Sequence, residues 1–138
     1  MKDRPRVVVD TNALVSRLLL PGAMPSQAVR KAVDEADLLV SDETLDELVD
    51  VLSRPKFDRY VTVEERRKFI RLLGCIAERV SVIHPIRACR DPDDDKFLAL
   101  AVSGDAEVIV TGDSDLLVLH PFRGIAIRTP ASYLAGNP

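Results

Sequence analysis

Short blocks of consecutive aliphatic residues alternate along this chain with longer stretches in which apolar residues recur every three or four positions. The blocks read as buried strands and the stretches as amphipathic helices. Arg6-Val7-Val8-Val9-Asp10 is the first strand, and its unbroken β-branched run suits a strand covered on both faces of a parallel sheet. Leu14, Val15, Leu18 and Leu19 then follow helical spacing until Pro21-Gly22 stops them. Ser26 is expected to cap a second helix with Val29, Ala32, Val33 and Ala36 turned inward. After the short strand Leu38-Leu39-Val40, Ser41 reads as the N-cap of a helix reaching about Ser53. Asp42 and Glu43 sit in its first turn, where the helix dipole favours acids, and Leu45, Leu48, Val49 and Leu52 form its core stripe.

Pro55 interrupts the pattern, and Thr62 with Glu65 makes a capping box that opens a longer helix through about Arg79, with Phe69, Leu72, Leu73, Ile76 and Val80 as its buried stripe. Val82-Ile83 is expected to form a brief strand before a loop around Pro85 and Pro92. Asp93 should cap a helix holding Phe97, Leu98, Ala101 and Val102, which ends at Gly104. Residues 107–111 are again a strand running into an acid, residues 114–119 a short turn or helix, and Ile125-Ala126-Ile127 a last strand. Thr129-Pro130 opens a terminal helix through Leu134. Strands alternating with amphipathic helices imply an α/β fold: a three-layer α/β/α arrangement around a parallel, doubly wound sheet of about four or five strands. No repeat or flexible linker divides it, so residues 1–138 are expected to form a single domain.

At 138 residues and 46% apolar content the chain can bury one core. Apolar runs such as Leu18-Leu19-Leu20 are far short of a membrane span, and the charged opening Met1-Lys2-Asp3-Arg4-Pro5 has no signal-like apolar stretch behind it. A cytoplasmic protein without membrane partners is the expectation. The net charge of −3 gives no global attraction to nucleic acid, so any polyanion must be held by local cations or by metal. Aromatics at 4%, with no Trp, leave little material for base-stacking platforms. Cys75 in a helix and Cys89 in a loop read as a buried small hydrophobe and an incidental thiol.

The chemistry lies in Asp10, Glu47, Asp95 and Asp113, each at a strand end, at a helix start or on a helix flank. A strand running straight into an acid aims it at the C-terminal edge of the sheet, where open α/β sheets keep their active sites, and neighbouring strands at 6–10 and 107–111 would bring Asp10 and Asp113 together there. Glu47 flanks the Leu48 stripe and Asp95 precedes the core residue Phe97 by two, so both can border the same edge. Taken singly, each acid is explained by a turn, a cap or solvation. Together they repel, and a hard cation such as Mg²⁺ or Mn²⁺ with oxygen ligands is the usual remedy. His84 and His120 each stand alone beside a proline, so no zinc cluster competes.

These residues resemble the PIN-domain ribonucleases, and among them the toxin components of VapC-like toxin–antitoxin systems. The resemblance rests on Val7-Val8-Val9-Asp10-Thr11-Asn12, on Thr44-Leu45-Asp46-Glu47-Leu48, on Asp91-Pro92-Asp93-Asp94-Asp95-Lys96-Phe97-Leu98-Ala99-Leu100-Ala101, and on Val108-Ile109-Val110-Thr111-Gly112-Asp113-Ser114-Asp115-Leu116-Leu117. It implies a metal-dependent endoribonuclease that hydrolyses RNA phosphodiester bonds. Asp10, Glu47, Asp95 and Asp113 would bind Mg²⁺ or Mn²⁺, with Asp115 a fifth acid, and Asn12 and Thr111 would orient acids or substrate. Asp94 is a rival for the place given to Asp95, which is preferred because it stands directly before Lys96-Phe97-Leu98. The resemblance also implies an RNA substrate, a homodimer and a small antitoxin protein. Arg17, Arg54, Lys56, Arg59, Arg67 and Arg71 could supply phosphate contacts, and none is assigned a catalytic role. Three other readings stand beside this one. A phosphotransfer domain of the haloacid-dehalogenase kind would want a second Asp where Asn12 stands, and a receiver-like domain would want paired acids at its first strand. A non-enzymatic PIN-fold binding protein would use the acids only for structural metal.

Overall fold

The computed structural model describes residues 4–136, so the charged opening at Met1 to Asp3 lies outside it. Five strands form one parallel sheet: β1 (Arg6–Val9), β2 (Asp37–Val40), β3 (Glu78–Arg79), β4 (Val108–Val110) and β5 (Ala126–Arg128). They lie in the order β3-β2-β1-β4-β5. Seven α-helices connect and cover them: α1 (Thr11–Leu19), α2 (Met24–Glu35), α3 (Asp42–Leu52), α4 (Val63–Ile76), α5 (Asp95–Ser103), α6 (Ser114–Leu117) and α7 (Pro130–Leu134). The three-layer α/β/α expectation is met, with five strands.

The period of two along a strand explains why β1 carries no polar alternation. Val7 and Val9 point into a core formed with α1, α2, α3 and Leu73 of α4. Val8 points the other way, into a core with Leu39, Ile109, α5 and Leu116. Both faces are covered, so every position must be apolar. The strand order runs outward in one direction through β2 and β3, and in the other through β4 and β5. The chain therefore reverses between β1 and β4, which are paired in register Val9 to Val110, and a crevice opens beyond their C-terminal ends.

Several element boundaries differ from the sequence expectations. Ser26 caps nothing: α2 begins one turn earlier, Ala23 holds the cap position without a side-chain bond, and Ser26 is wholly buried against Arg17. Pro25 in the first turn explains the early start, since a residue without an N–H leaves no donor to satisfy there. α4 stops at Ile76 instead of reaching Arg79, and Glu78-Arg79 pair with β2 as the edge strand while Val82-Ile83 stay unpaired. The deciding contact is tertiary: the Arg6 guanidinium donates to both carboxylate oxygens of Glu78 at 2.8 Å. Charged residues are tolerated in a short edge strand because neither face is buried.

Asp93 is not the cap of α5. The Asp91 side chain accepts from the Asp93 N–H and caps a 3-10 turn at Pro92–Asp94, which leaves Asp94 at the cap position of α5. Val49, Leu72, Ile76 and Cys75 are exposed rather than buried, and Cys89 packs half-buried against the second core. No helix of the described residues is long and apolar enough to cross a membrane.

Candidate metal centre

Asp10 follows β1 and caps α1, and its backbone N–H donates to the Val110 carbonyl at 3.1 Å, which continues the β1–β4 pairing by one residue. Its Oδ1 accepts from the Ala13 N–H at 2.9 Å and its Oδ2 from the Thr111 hydroxyl at 2.7 Å. Thr111 is itself fully buried, and its hydroxyl oxygen also accepts from the Asp113 N–H at 3.0 Å. One hydroxyl thus sets both the Asp10 carboxylate and the turn that carries Asp113. Burial pushes the Asp10 carboxyl above its ordinary value, and the nearby Asp113 charge adds to the rise, while the bonds from Thr111, Ala13 and Gly112 oppose it.

Asp113 caps α6 by accepting from the Asp115 N–H at 2.8 Å. Asp94, Asp113 and Asp115 each place a carboxylate oxygen within 4.8 Å of the others. Asp94 makes no cap bond to α5, although it holds the cap position, because its side chain is turned to this group. Its Oδ2 is buried without a hydrogen-bond partner. Burial, then the close Asp113 carboxylate and the charges of Asp91 and Asp115, raise the Asp94 carboxyl to about 7. Asp115 is paired on its outer side with the exposed Arg90 at 3.0 Å.

Asp95 and Glu47 are placed differently from the sequence expectation that groups them with Asp10 and Asp113. Asp95 Oδ1 accepts from the N–H groups of Ala88 at 3.0 Å and Cys89 at 2.8 Å. Burial acts to raise the Asp95 carboxyl, but these bonds prevail and hold it below the usual range. The Cys89 thiol beside it is pushed up to about 12 by burial and by the Asp95 carboxylate, so it is neither a nucleophile nor a thiolate ligand near neutrality. Glu47 projects from α3 with both oxygens engaged: Oε1 accepts from the Thr11 hydroxyl, and Oε2 from Lys96 Nζ at 2.6 Å. Lys96 and Glu47 are both largely shielded from solvent, and the pair ties α3 to α5 at the border of the acidic group.

Asn12 is exposed and lines a cleft of about 310 Å³ together with Asp10, Gly112 and Asp113. The cations put forward as phosphate contacts bond to none of these acids among the described residues. Arg54 pairs with Asp50 and Arg17 reaches Ser26. Three residues of the site escaped sequence reasoning. Thr11 lay hidden beside Asp10, and Arg90 carries no local signal. Lys96 did carry one: a cation in the first turn of a helix opposes the dipole, so its placement there asks for a tertiary partner.

Residues 6–115 match the PIN domain family. The chain is a PIN-domain protein. A relative of uncharacterized activity from Methanocaldococcus jannaschii is 31% identical over 123 residues, covering 86% of this chain and 77% of that one. Solved structures with this fold include VapBC2 from Rickettsia felis bound to a DNA fragment from its promoter, with TM-score 0.61, 11% identity, and coverage of 90% of this chain and 98% of that one. PAE2754 from Pyrobaculum aerophilum aligns with TM-score 0.61 at 17% identity, covering 95% of this chain and 88% of that one. VapC20 from Mycobacterium tuberculosis, a toxin that cleaves the sarcin–ricin loop, aligns with TM-score 0.53 at 15% identity over 87% of this chain and 98% of that one.

The acids of this PIN domain suit a hard divalent cation. Asp94, Asp113 and Asp115 offer only oxygen donors at close range, and with both Asp94 and Asp113 ionised the buried Asp94 Oδ2 has no hydrogen-bond donor from the protein. An orphaned buried acceptor costs about 1–3 kcal/mol, more when charged, which a cation would recover. Protonation of Asp94 near neutrality is the alternative relief when no cation is bound.

Proposed function

We propose that this protein is a Mg²⁺- or Mn²⁺-dependent endoribonuclease, the toxin of a type II toxin–antitoxin pair, which hydrolyses RNA phosphodiester bonds with water and leaves a 5′ phosphate. The observation that carries the reading is the group of Asp94, Asp113 and Asp115 within 4.8 Å, with an unpartnered buried oxygen, in the crevice where Asp10 emerges. Asp10, Asp94, Asp113 and Asp115 would hold the cation, so Asp94 takes the ligand place that the sequence motif assigned to Asp95. When bound, a divalent cation supplies an acidified water and charge stabilisation for the phosphoryl group.

The protein's own residues do the positioning. Thr111 fixes the Asp10 carboxylate through one bond and the start of the Asp113 turn through another. Asp95 locks the 88–89 loop against the first turn of α5, and so sets where Asp94 points. Glu47, oriented by Thr11 and Lys96, borders the reacting centre as a proton acceptor or water-orienting group, and Lys96 offsets part of the negative charge that would otherwise repel a phosphate. Asn12 faces the substrate side of the cleft.

An RNA substrate is supported by family membership and by the stated activity of VapC20, and an antitoxin partner by the assembled VapBC2. A homodimer and a cytoplasmic location belong to the same reading. Asp10→Asn and Asp113→Asn proteins should cleave single-stranded RNA at least about a hundredfold more slowly than the parent in Mg²⁺ or Mn²⁺. Equal rates would sink the proposed centre.

A further inference from the structure

The cleft lined by Asp10 and Asp113 is also lined by Asn12, Ala13, Ser16, Pro25 and Pro130, and these residues differ in chemistry from the two acids. Asn12 and Ala13 each lie about one turn before Ser16 on α1. Pro25 stands in the first turn of α2 and Pro130 is the first residue of α7. A proline at a helix start has no N–H, so these two walls present carbon where a helix start would otherwise offer donors to an anion. Among the described residues no Lys or Arg lines the cleft, and two carboxylates do. The lining away from the acids therefore offers a phosphate no cationic partner. What fits is a neutral, flat group with hydrogen-bonding edges and apolar faces, attached to a phosphate that stays outside at the acids.

We propose that the recess between Ser16, Pro25 and Pro130 is a nucleobase subsite, which takes the unstacked base of one nucleotide flanking the scissile phosphate of a single-stranded RNA. Its volume of about 310 Å³ is at the small end of ligand clefts, which suits one nucleoside rather than a duplex or a folded element. Pro25 and Pro130, both part-exposed, offer the ring apolar surface, and the Ser16 hydroxyl and Asn12 amide meet its edge, while Ala13 is core and presents almost no surface; single-stranded RNA is read by splayed-out bases in this manner. The inference rests on the nuclease reading for the position of the phosphate. It also gives a chain with few aromatics a way to hold a base without a stacking platform.

The test is binding of a labelled phosphorothioate RNA pentanucleotide to the full chain in Mg²⁺, followed by anisotropy, with an abasic residue placed at each position in turn. One abasic position should weaken binding about tenfold, and the others less than about twofold. Ser16→Phe, which fills the recess, should weaken the parent ligand by a similar factor and abolish the dependence on that one position. Asn12→Ala, at an exposed site that tolerates truncation, should reduce the same dependence should Ser16→Phe fail to fold. A flat profile across all positions, no binding by any pentanucleotide, or a profile untouched by both variants overturns the subsite. Cleavage of the parent RNA, assayed in parallel, separates the two ideas: position-specific binding without cleavage would remove the nuclease reading and leave the subsite standing.

Discussion

Asp94 and Asp95 are adjacent in the chain and opposite in circumstance. Asp94 keeps an orphaned oxygen among like charges, whereas Asp95 has two backbone donors and a depressed pKa. The two should therefore fail differently. Asp94→Asn is expected to lower metal-dependent cleavage about a hundredfold or more while leaving stability equal or higher, because a repelled carboxylate is replaced by a neutral amide. Asp95→Ala is expected to lose about 0.5–1.5 kcal/mol in urea unfolding, because the N–H groups of Ala88 and Cys89 exchange their acceptor for water. Cleavage rates and unfolding midpoints measured on both variants check this; the reverse assignment would restore Asp95 as the ligand.

At the scale of elements, the site depends on helices being tied at their ends. Glu47 on α3 and Lys96 on α5 form the tie nearest the acids, and Thr11 at the start of α1 joins it. The pair is partly buried, so a lone survivor is costly while joint removal is mild. Glu47→Gln and Lys96→Met should each destabilise, and the double variant should cost less than the sum, with a coupling of about 0.5–3 kcal/mol. A double-mutant cycle in urea measures it, and zero coupling would make the pair incidental. Farther away, the same logic holds the loop after α3: Arg66, buried in α4, donates to the carbonyls of Leu52 and Val61 and to Asp58, and so fixes the turn that the sequence shows only as a break at Pro55.

For the whole molecule, the acidic centre couples folding to pH and to metal. The Asp94 carboxyl lies at about 7 in the fold, against an ordinary value of 3.8. A group with a raised folded pKa favours the protonated native state, so its contribution is present below the ordinary value and is lost as pH rises through about 7. In chelator, the thermal midpoint should fall as pH rises from about 4 to about 7, and Asp94→Asn should remove part of that fall. Added Mn²⁺ binds only the folded site and must displace the proton, so its stabilising shift should grow with pH over the same interval. Calorimetry at pH 5 and at pH 8, about two units below and one above that value, checks the linkage. An equal Mn²⁺ shift at both would break it.

The parallel sheet, its two covered faces and the order of most helices follow from periodicity alone, because burial on both sides of β1 and β4 demands the unbroken apolar runs that the chain displays. The Ser41 cap of α3 and the capping box of α4 were legible for the same local reason, since each cap meets its partner three residues on, although the Thr44 half of a box at α3 emerged only in the structure. What the chain alone left undecided was every feature whose partner is distant in sequence. The edge strand at Glu78-Arg79 exists through Arg6, Lys96 has its meaning through Glu47, and Thr111 connects acids about a hundred residues apart. Asp94 against Asp95 is the sharpest instance. Both precede the same apolar helix, and only the loop at Ala88-Cys89, which takes the Asp95 carboxylate for its own N–H groups, leaves Asp94 to face Asp113 and Asp115.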